Sequence, residues 1–175
     1  MSRQERDNLL TNLPNFESEL QESYSDIGFE ASLLYSTQSW YKLASYTIEE
    51  LDGTFSKASL YLNDFITIIE EDFDESYAII RGFFRHKANN GKYYAFVVVD
   101  WFEDTNQKHP VLGCPFYCLH TIENQRWRSI FPISAIDNLA QKVHFVHSCT
   151  NFKCQDHYNS SNRIWIKNNY YFTAI

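Results

Sequence analysis

Between residues 65 and 102, apolar and polar segments alternate in a way that predicts three strands. The stretch reads FITIIEEDFDESYAIIRGFFRHKANNGKYYAFVVVDWF. It contains, in order, an apolar segment, an acidic turn, a second apolar segment, a polar turn at Asn89-Asn90-Gly91 and a third apolar segment ending in Trp-Phe. Short runs rich in β-branched and aromatic residues, bounded by turn residues, are typical of strands. Three such segments joined by short turns predict an antiparallel sheet.

Shorter strands are predicted on both sides of this core sheet. Residues 40–46 are rich in aromatic side chains, and residues 56–62 precede the turn pair Asn63-Asp64. The downstream elements are a polar loop at 103–110, strands at 116–120, 127–131 and 142–147, a short helical turn at 132–137 and a final strand pair within 163–175. The sequence therefore predicts an all-β fold of antiparallel strands with minor short helices.

One domain is expected to account for most of the chain. Its 175 residues suffice for a single core, and the 17% of aromatic residues supply large side chains to fill it. Residues 1–30 are polar and acidic with sparse apolar positions. We expect this lead to be either disordered or a short helix around residues 16–24, with little role beyond tethering. Residues 31–175 form the predicted domain.

The net charge of −7 is unevenly distributed. Residues 1–75 hold 16 of the 22 acidic residues but only 4 of the 15 basic ones, so the remainder of the chain is net positive. That positive part either contacts nucleic acid or pairs with the acidic part, and pairing on a solvated surface is favoured. No apolar run reaches the roughly 20 residues that span a bilayer, and the first residues lack the apolar segment of a secretory signal. We therefore expect an intracellular protein with no membrane partner, whose four cysteines are reduced thiols or metal ligands.

Short motifs follow one another along the core sheet in an order that is found in a known family. Asn-Asp-Phe-Ile-Thr-Ile begins at residue 63, Tyr-Ala-Ile-Ile-Arg-Gly-Phe-Phe at residue 77, and Val-Val-Val-Asp-Trp-Phe ends at residue 102. This order resembles the D-x-V-x-V, Y-V-A-R-I and V-x-W-F motifs of the bromo-adjacent homology (BAH) domain. Residues 132–136 and 143–145 resemble its closing V-x-x-I-x-x-x-x-x-V segment, so the similarity covers residues 60–147. The C-terminal tail resembles BAH-like modules of expanded, partly transposon-associated fungal families.

The resemblance implies a distorted β-barrel in a nuclear chromatin protein that binds a histone peptide or another protein. Some BAH domains bind methylated lysine, whose methylammonium group sheds water easily and is held over the faces of aromatic rings. Carried over by position, the candidate cage residues are the rings of Tyr77, Trp101 and Phe116 or Tyr117, with Glu103 or Asp104 as the carboxylate. The chain lacks the arginine-proline pair that follows the family's Trp-Phe.

Two interpretations of these aromatic residues remain open. In a working cage, Trp101→Ala abolishes binding of a methylated peptide without unfolding the domain. In the alternative, Tyr77 and Trp101 are core residues of a protein–protein scaffold without a cage, a remnant of a transposon-derived protein. Loss of folding in the same variant would support that alternative.

Four residues of zinc-ligand type lie within eleven positions near the C-terminus. They are His147, Cys149, Cys154 and His157, in the pattern H-x-C-x4-C-x2-H. Thiolate and imidazole are the preferred ligands of zinc, and a structural site needs four of them in tetrahedral arrangement. The pattern therefore indicates structural zinc, with Cys114 and Cys118 as substitute ligands if the chain folds back. The alternative is reduced, partly buried cysteines and surface histidines.

The remaining motifs predict no enzyme. There is no G-x-S-x-G, no phosphate-binding loop and no H-E-x-x-H, and the acidic cluster at residues 72–75 is interpreted as a solvated hairpin tip.

A third functional class is weak, sequence-independent binding of nucleic acid. Basic residues flank the turn at residues 89–91, where Tyr93 and Tyr94 would stack a base while cations contact phosphate. These basic residues are Arg81, Arg85, His86, Lys87 and Lys92. An ordinary solvated hairpin is the favoured interpretation of the same pattern.

Overall fold

The structure is a computed structural model that describes residues 1–29, 38–49, 52–69, 75–120, 127–136, 143–147 and 164–168. Its elements are α1 (Arg3–Thr11), α2 (Phe16–Asp26), β1 (Ser39–Tyr41), β2 (Leu43–Glu49), β3 (Phe55–Tyr61), β4 (Phe65–Ile69), β5 (Glu75–Lys87), β6 (Tyr93–Lys108), β7 (Pro115–His120), β8 (Ile130–Pro132), a 3-10 turn (Ile133–Ala135), β9 (Phe145–His147) and β10 (Ile164–Lys167). Most of these residues lie in antiparallel strands. The predicted all-β fold is confirmed.

The two longest strands, β5 and β6, form the spine of the main sheet. The outer edge of β5 pairs with β4 through residues 75–79 and with β1 through residues 83–85. The outer edge of β6 pairs with β8 through residues 96–98 and with β7 from residue 101 onward. Strands β10 and β9 continue the sheet beyond β7. Strand twist and a bulge at Arg81 in β5 curl this sheet into a half-barrel.

Alternation along β6 divides the core between the two faces of the sheet. On one face, Val97, Val99 and Trp101 pack with residues of β4, β5 and the β2–β3 hairpin. On the other face, residues 96 and 98 pack against the N-terminal helices, whereas residue 102 packs with aromatic residues of β5, β7, β9 and β10. The spine strands therefore contribute apolar side chains to three clusters.

A buried ion pair lies on the face of β6 that carries residues 96, 98 and 102, between the cluster at the N-terminal helices and the aromatic cluster around residue 102. Asp100 follows Val98 and precedes Phe102 on the same side of β6, and its carboxylate accepts a hydrogen bond from the guanidinium of Arg81. Arg81 also donates to the side-chain oxygen of Asn63, 3.0 Å away. The bulged residue thus compensates the charge that β6 buries, because an unpaired carboxylate would be strongly unfavourable there.

The N-terminal lead is part of the core, which corrects the expectation of a disordered or tethering segment. Helix α2 spans the region for which a short helix was the alternative. Leu20 and Tyr24 of this helix are fully buried against Phe96 and Ile130. The lead also makes polar contacts, since Ser23 Oγ donates to the backbone oxygen of Ile130 at 2.7 Å. Its sparse apolar residues are therefore those that reach the sheet.

Several predicted boundaries differ from those observed. The predicted polar loop at residues 103–110 is mostly strand, because β6 continues to Lys108 and pairs with β7. Exposed and half-buried side chains alternate over residues 103–106, so cross-strand pairing overrides composition. The predicted strand at 40–46 is divided into β1 and β2, and β8 begins at Ile130 rather than at residue 127. Of the predicted final strand pair, β10 is observed and residues 169–175 lie outside the described residues.

Leu20→Ala should destabilise the whole domain, because it removes a side chain that is only 2% exposed and leaves a cavity between α2 and the sheet. We expect a loss of about 2–5 kcal/mol in the free energy of unfolding, measured by urea denaturation. Gln21→Ala, on the exposed side of the same helix, should change it by less than about 0.5 kcal/mol. Equal effects of the two variants would show that the lead does not belong to the core.

The free energy of unfolding should decrease in acid because His86 is buried. The Tyr24 hydroxyl and His86 Nδ1 are 2.7 Å apart, and burial lowers the pKa of His86 below its usual 6.5. The unfolded chain therefore takes up a proton at a higher pH than the folded chain, so stability is complete above about pH 6.5 and falls as the pH decreases below that value.

The measurement is the free energy of unfolding between neutral pH and the acid limit, for the wild type and His86→Gln. The variant should lose part of the acid-dependent decrease, since glutamine does not titrate. An unchanged pH dependence in the variant would assign the decrease to other groups.

Candidate functional site

The structure places the two main cage candidates on opposite faces of the sheet. Tyr77 of β5 is paired with Phe102 of β6, and Ala78 is paired with Trp101. Because neighbouring strand residues point to opposite faces, Tyr77 shares its face with Phe102 and not with Trp101. Tyr77 and Trp101 therefore do not form one cage.

Tyr77 and Tyr117 form an aromatic group that already holds a cation of the same chain. Their rings are perpendicular, with centroids 5.8 Å apart, and Phe145 packs against both. The Lys167 ammonium lies 4.0 Å from the centroid of the Tyr77 ring and donates to its hydroxyl oxygen. That hydroxyl donates in turn to Glu75 at 2.8 Å. Burial raises the pKa of Tyr77 and lowers that of Lys167, in the second case against the attraction of Glu75.

Asp104, the second carboxylate candidate, accepts a hydrogen bond from the backbone of its own strand. It is paired with Tyr117, on the face away from Trp101. Its Oδ1 accepts a hydrogen bond from the backbone nitrogen of Asn106 at 2.7 Å, and Asn106 has a positive φ of 57°. This geometry stabilises an irregularity in β6.

Trp101 and Glu103, in contrast, line one cleft. Residues two apart on a strand share a face, and both side chains face an open cavity of about 970 Å³. Its walls are built by the end of α2, by β6 and by the segment that leads into β8. Its lining includes Asp26, Trp101, Glu103, Trp127, Arg128 and Phe131.

The cleft is lined by three aromatic rings. The rings of Trp101 and Phe131 meet edge to face, with centroids 5.3 Å apart. Trp101 is only 8% exposed, and its Nε1 donates to the backbone oxygen of Arg128 at 2.7 Å. Trp127 is 43% exposed and packs perpendicular to the His120 ring at 5.3 Å. Trp101 therefore forms a fixed wall, and Trp127 presents ring surface to solvent.

A cation of the chain itself lies against one aromatic ring of this cleft. The Arg128 guanidinium lies 4.2 Å from the centroid of the Phe131 ring. Two hydrogen bonds to Asp26, of 2.5 and 3.3 Å, hold it in place from α2. Glu103 also lines the cleft, where its carboxylate contacts His120 Nε2.

Glu103, Cys118 and His120 form a compact polar cluster beside the cleft. Cys118 is paired with Glu103, and His120 with Trp101, so all these side chains share a face. His120 Nε2 lies 2.5 Å from Glu103 Oε2 and 3.4 Å from Cys118 Sγ. The third distance, from Cys118 Sγ to Glu103 Oε2, is 3.8 Å.

The zinc-like pattern predicted near the C-terminus is described only in part. His147 ends β9, and its ring packs on Trp165 at 4.9 Å. Cys149, Cys154 and His157 lie outside the described residues.

The basic hairpin is only partly committed to the fold, since Arg85, Lys87 and Lys92 are exposed. Arg81 is paired with Asp100, and His86 and Tyr94 pack against Tyr24. Of the predicted nucleic-acid surface, Arg85 and Lys87 lie over the exposed Tyr93 ring, at 4.8 and 5.9 Å from its centroid.

Sequence reasoning missed most of the residues that complete the cleft and the cluster. They are His120, Asp26, Trp127 and Phe131. A signal was present for the first, because Cys118-Leu119-His120 carries polar groups two residues apart on a predicted strand. No sequence signal connects residues 127–131 to Trp101, since that contact depends on the pairing of β8 with β6.

A scan against protein-family models and searches of curated proteins and of solved structures found no match to the chain. Among the described residues, no helix has the length and apolar character needed to cross a membrane. We therefore infer function from the residues of the cleft.

The two tryptophans should differ in their effect on stability. Trp101→Ala removes a ring buried in the core and leaves the Arg128 carbonyl without its donor, so we expect a loss of about 3–5 kcal/mol in the free energy of unfolding. Trp127→Ala should cost less than about 1 kcal/mol, because Trp127 is already 43% exposed in the folded chain. Urea denaturation of both variants checks this. Comparable losses would show that Trp127 is also a core residue.

Proposed function

We propose that the chain is a non-catalytic interaction module of BAH type, whose cleft binds a cationic side chain of a partner peptide. The supporting observation is that Trp101, Glu103 and Trp127 line the same cleft. Methylated lysine on a chromatin protein such as a histone is the ligand that fits this chemistry best. Such a partner would place the protein in the nucleus.

Aromatic rings and a carboxylate favour a cation that is weakly hydrated. A methylated ammonium group keeps its positive charge but loses hydrogen-bond donors, so transferring it from water onto a ring face costs less. Trp has the most favourable ring for this contact. Trp127 supplies an exposed ring of this kind, Trp101 forms the largely buried wall of the same cleft, and Glu103 would accept a remaining N–H of a lower methylation state.

The overall charge supports a basic partner. The chain carries a net charge of −7, which attracts basic peptides and repels phosphate backbones. The Arg128–Phe131 contact is an example, within the chain itself, of a cation held on a ring of this cleft. A lysine-rich peptide would meet similar ring chemistry.

A second candidate is a protein–protein scaffold without a cage, which one observation favours. Lys167 lies over Tyr77, so the aromatic group nearest to the family's cage position holds the chain's own lysine. In this candidate the same fold binds protein partners through other surfaces.

Binding of the full chain to histone peptides of defined methylation state tests the proposal. The wild type should bind a methylated peptide in preference to its unmethylated form. Trp127→Ala should weaken that binding by about tenfold, because one cation–π contact of roughly 1–2 kcal/mol is lost. Fluorescence anisotropy measures the affinity, and the stability of the variant is checked in parallel.

Tyr93→Ala is the matched control, since Tyr93 is also exposed and aromatic but lies outside the cleft. Its affinity for the peptide should equal that of the wild type. Equal losses in both variants, or no peptide bound by a folded protein, would favour the scaffold. Binding to DNA that weakens steeply with salt would favour the surface of Arg85, Lys87 and Tyr93 instead.

A further inference from the structure

Beyond peptide binding, we propose that Glu103, Cys118 and His120 form a binding site for a divalent metal ion, with zinc the best match. The carboxylate oxygen, thiol sulfur and imidazole nitrogen of these residues all lie within 4.8 Å of one another. The site is distinct from the pattern of His147, Cys149, Cys154 and His157, with which it shares no residue.

The pairing of β6 with β7 brings the three side chains together. Glu103 and Cys118 are directly paired, and His120 lies two residues further along β7 on the same face. Two adjacent strands of a paired sheet are a rigid support, so the ligands need little ordering when an ion binds. The Trp127 ring, packed perpendicular to the His120 ring, further restricts the imidazole.

The distances between the donor atoms fit a tetrahedral ion. Zinc–sulfur bonds of about 2.3 Å and zinc–nitrogen bonds of about 2.0 Å place two ligand atoms about 3.5 Å apart in a tetrahedron. The observed distances from Cys118 Sγ are 3.4 Å to His120 Nε2 and 3.8 Å to Glu103 Oε2. Only the 2.5 Å contact between His120 and Glu103 needs to open, by about 1 Å, for all three atoms to meet one ion.

The same geometry argues against a catalytic arrangement in which His120 and Glu103 activate Cys118 as a nucleophile. In such a relay the histidine uses one ring nitrogen for the nucleophile and the other for the carboxylate. Here Cys118 Sγ and Glu103 Oε2 both approach Nε2 of His120. Three donor atoms that converge on one point are arranged as ligands and not as a proton relay.

The chemical types of the three ligand atoms determine which metal ion would bind best. Thiolate and imidazole favour zinc and other late first-row ions over magnesium and calcium, which prefer oxygen alone. Binding would release the thiol proton of Cys118, after which thiolate and carboxylate balance the two charges of the ion. Water from the cleft that Glu103 lines would complete the coordination.

Metal analysis of the untagged full chain tests the site, with no peptide present. After equilibration with zinc and removal of free metal, the wild type should retain about one equivalent. Cobalt in place of zinc should give a thiolate-to-metal charge-transfer band. Cys118→Ala and His120→Gln should lose both the metal and the band. Cys114→Ala, at a buried cysteine just before β7, should retain both.

The double variant Cys149→Ala/Cys154→Ala separates this site from the C-terminal pattern. It should keep the zinc and the cobalt band that Cys118→Ala loses. Zinc retained when Cys118→Ala is added to this double variant, or absent from the wild type, would overturn the proposal. Because no peptide is used, these outcomes do not depend on whether the cleft binds methylated lysine.

A measurement on the wild type alone covers the case in which Cys118→Ala does not fold. Cys118 is partly exposed, so iodoacetamide should alkylate it in the metal-free protein. Zinc should slow that reaction at least about tenfold, because a coordinated thiolate is a poorer nucleophile. Mass spectrometry of the peptide that contains Cys118 gives the rate. An unchanged rate with zinc would overturn the site.

Discussion

The pairing of β5 with β6 is the constraint on which the rest of the structure depends. It fixes which side chains of each strand face the helices, the hairpin and the cleft, and the remaining strands of the main sheet attach directly or indirectly to its edges. Because the strand period is two residues, a shift of one residue would exchange the two faces. The positions of Trp101 and Glu103 in the cleft, and of Tyr77 outside it, follow from this register.

The bulge at Arg81 explains why the cage prediction grouped the wrong rings. Near the turn, β5 and β6 pair in the register of Gly82 with Val98. Continued without interruption, that register would place Tyr77 opposite Glu103, on the face of Trp101. The extra residue shifts the pairing so that Tyr77 is opposite Phe102. Residue positions taken from a family motif cannot reveal such a shift, at which Arg81 pairs with the buried Asp100.

Elements with strong local sequence signals could be predicted, whereas elements that depend on tertiary contacts could not. The strands around Phe65, Tyr77 and Val97 have long apolar runs and clear turns, and their existence and order are confirmed. The contribution of α2 was missed because few of its residues are apolar, although Leu20 and Tyr24 are the ones that meet the sheet. Tertiary contact, rather than propensity, stabilises that helix. The cleft depends on the same contact, since Asp26 of α2 holds Arg128 in place.

Glu103 connects the two proposed properties of this surface. Its carboxylate, which contacts His120 Nε2, would add negative charge to the aromatic cleft and attract a cationic side chain. With a divalent ion bound, the charges of Glu103, the Cys118 thiolate and the metal sum to zero, so that attraction decreases. Binding of the ion should therefore weaken binding of the cationic peptide, because both depend on the carboxylate of Glu103. By linkage, each ligand must weaken the binding of the other by the same factor.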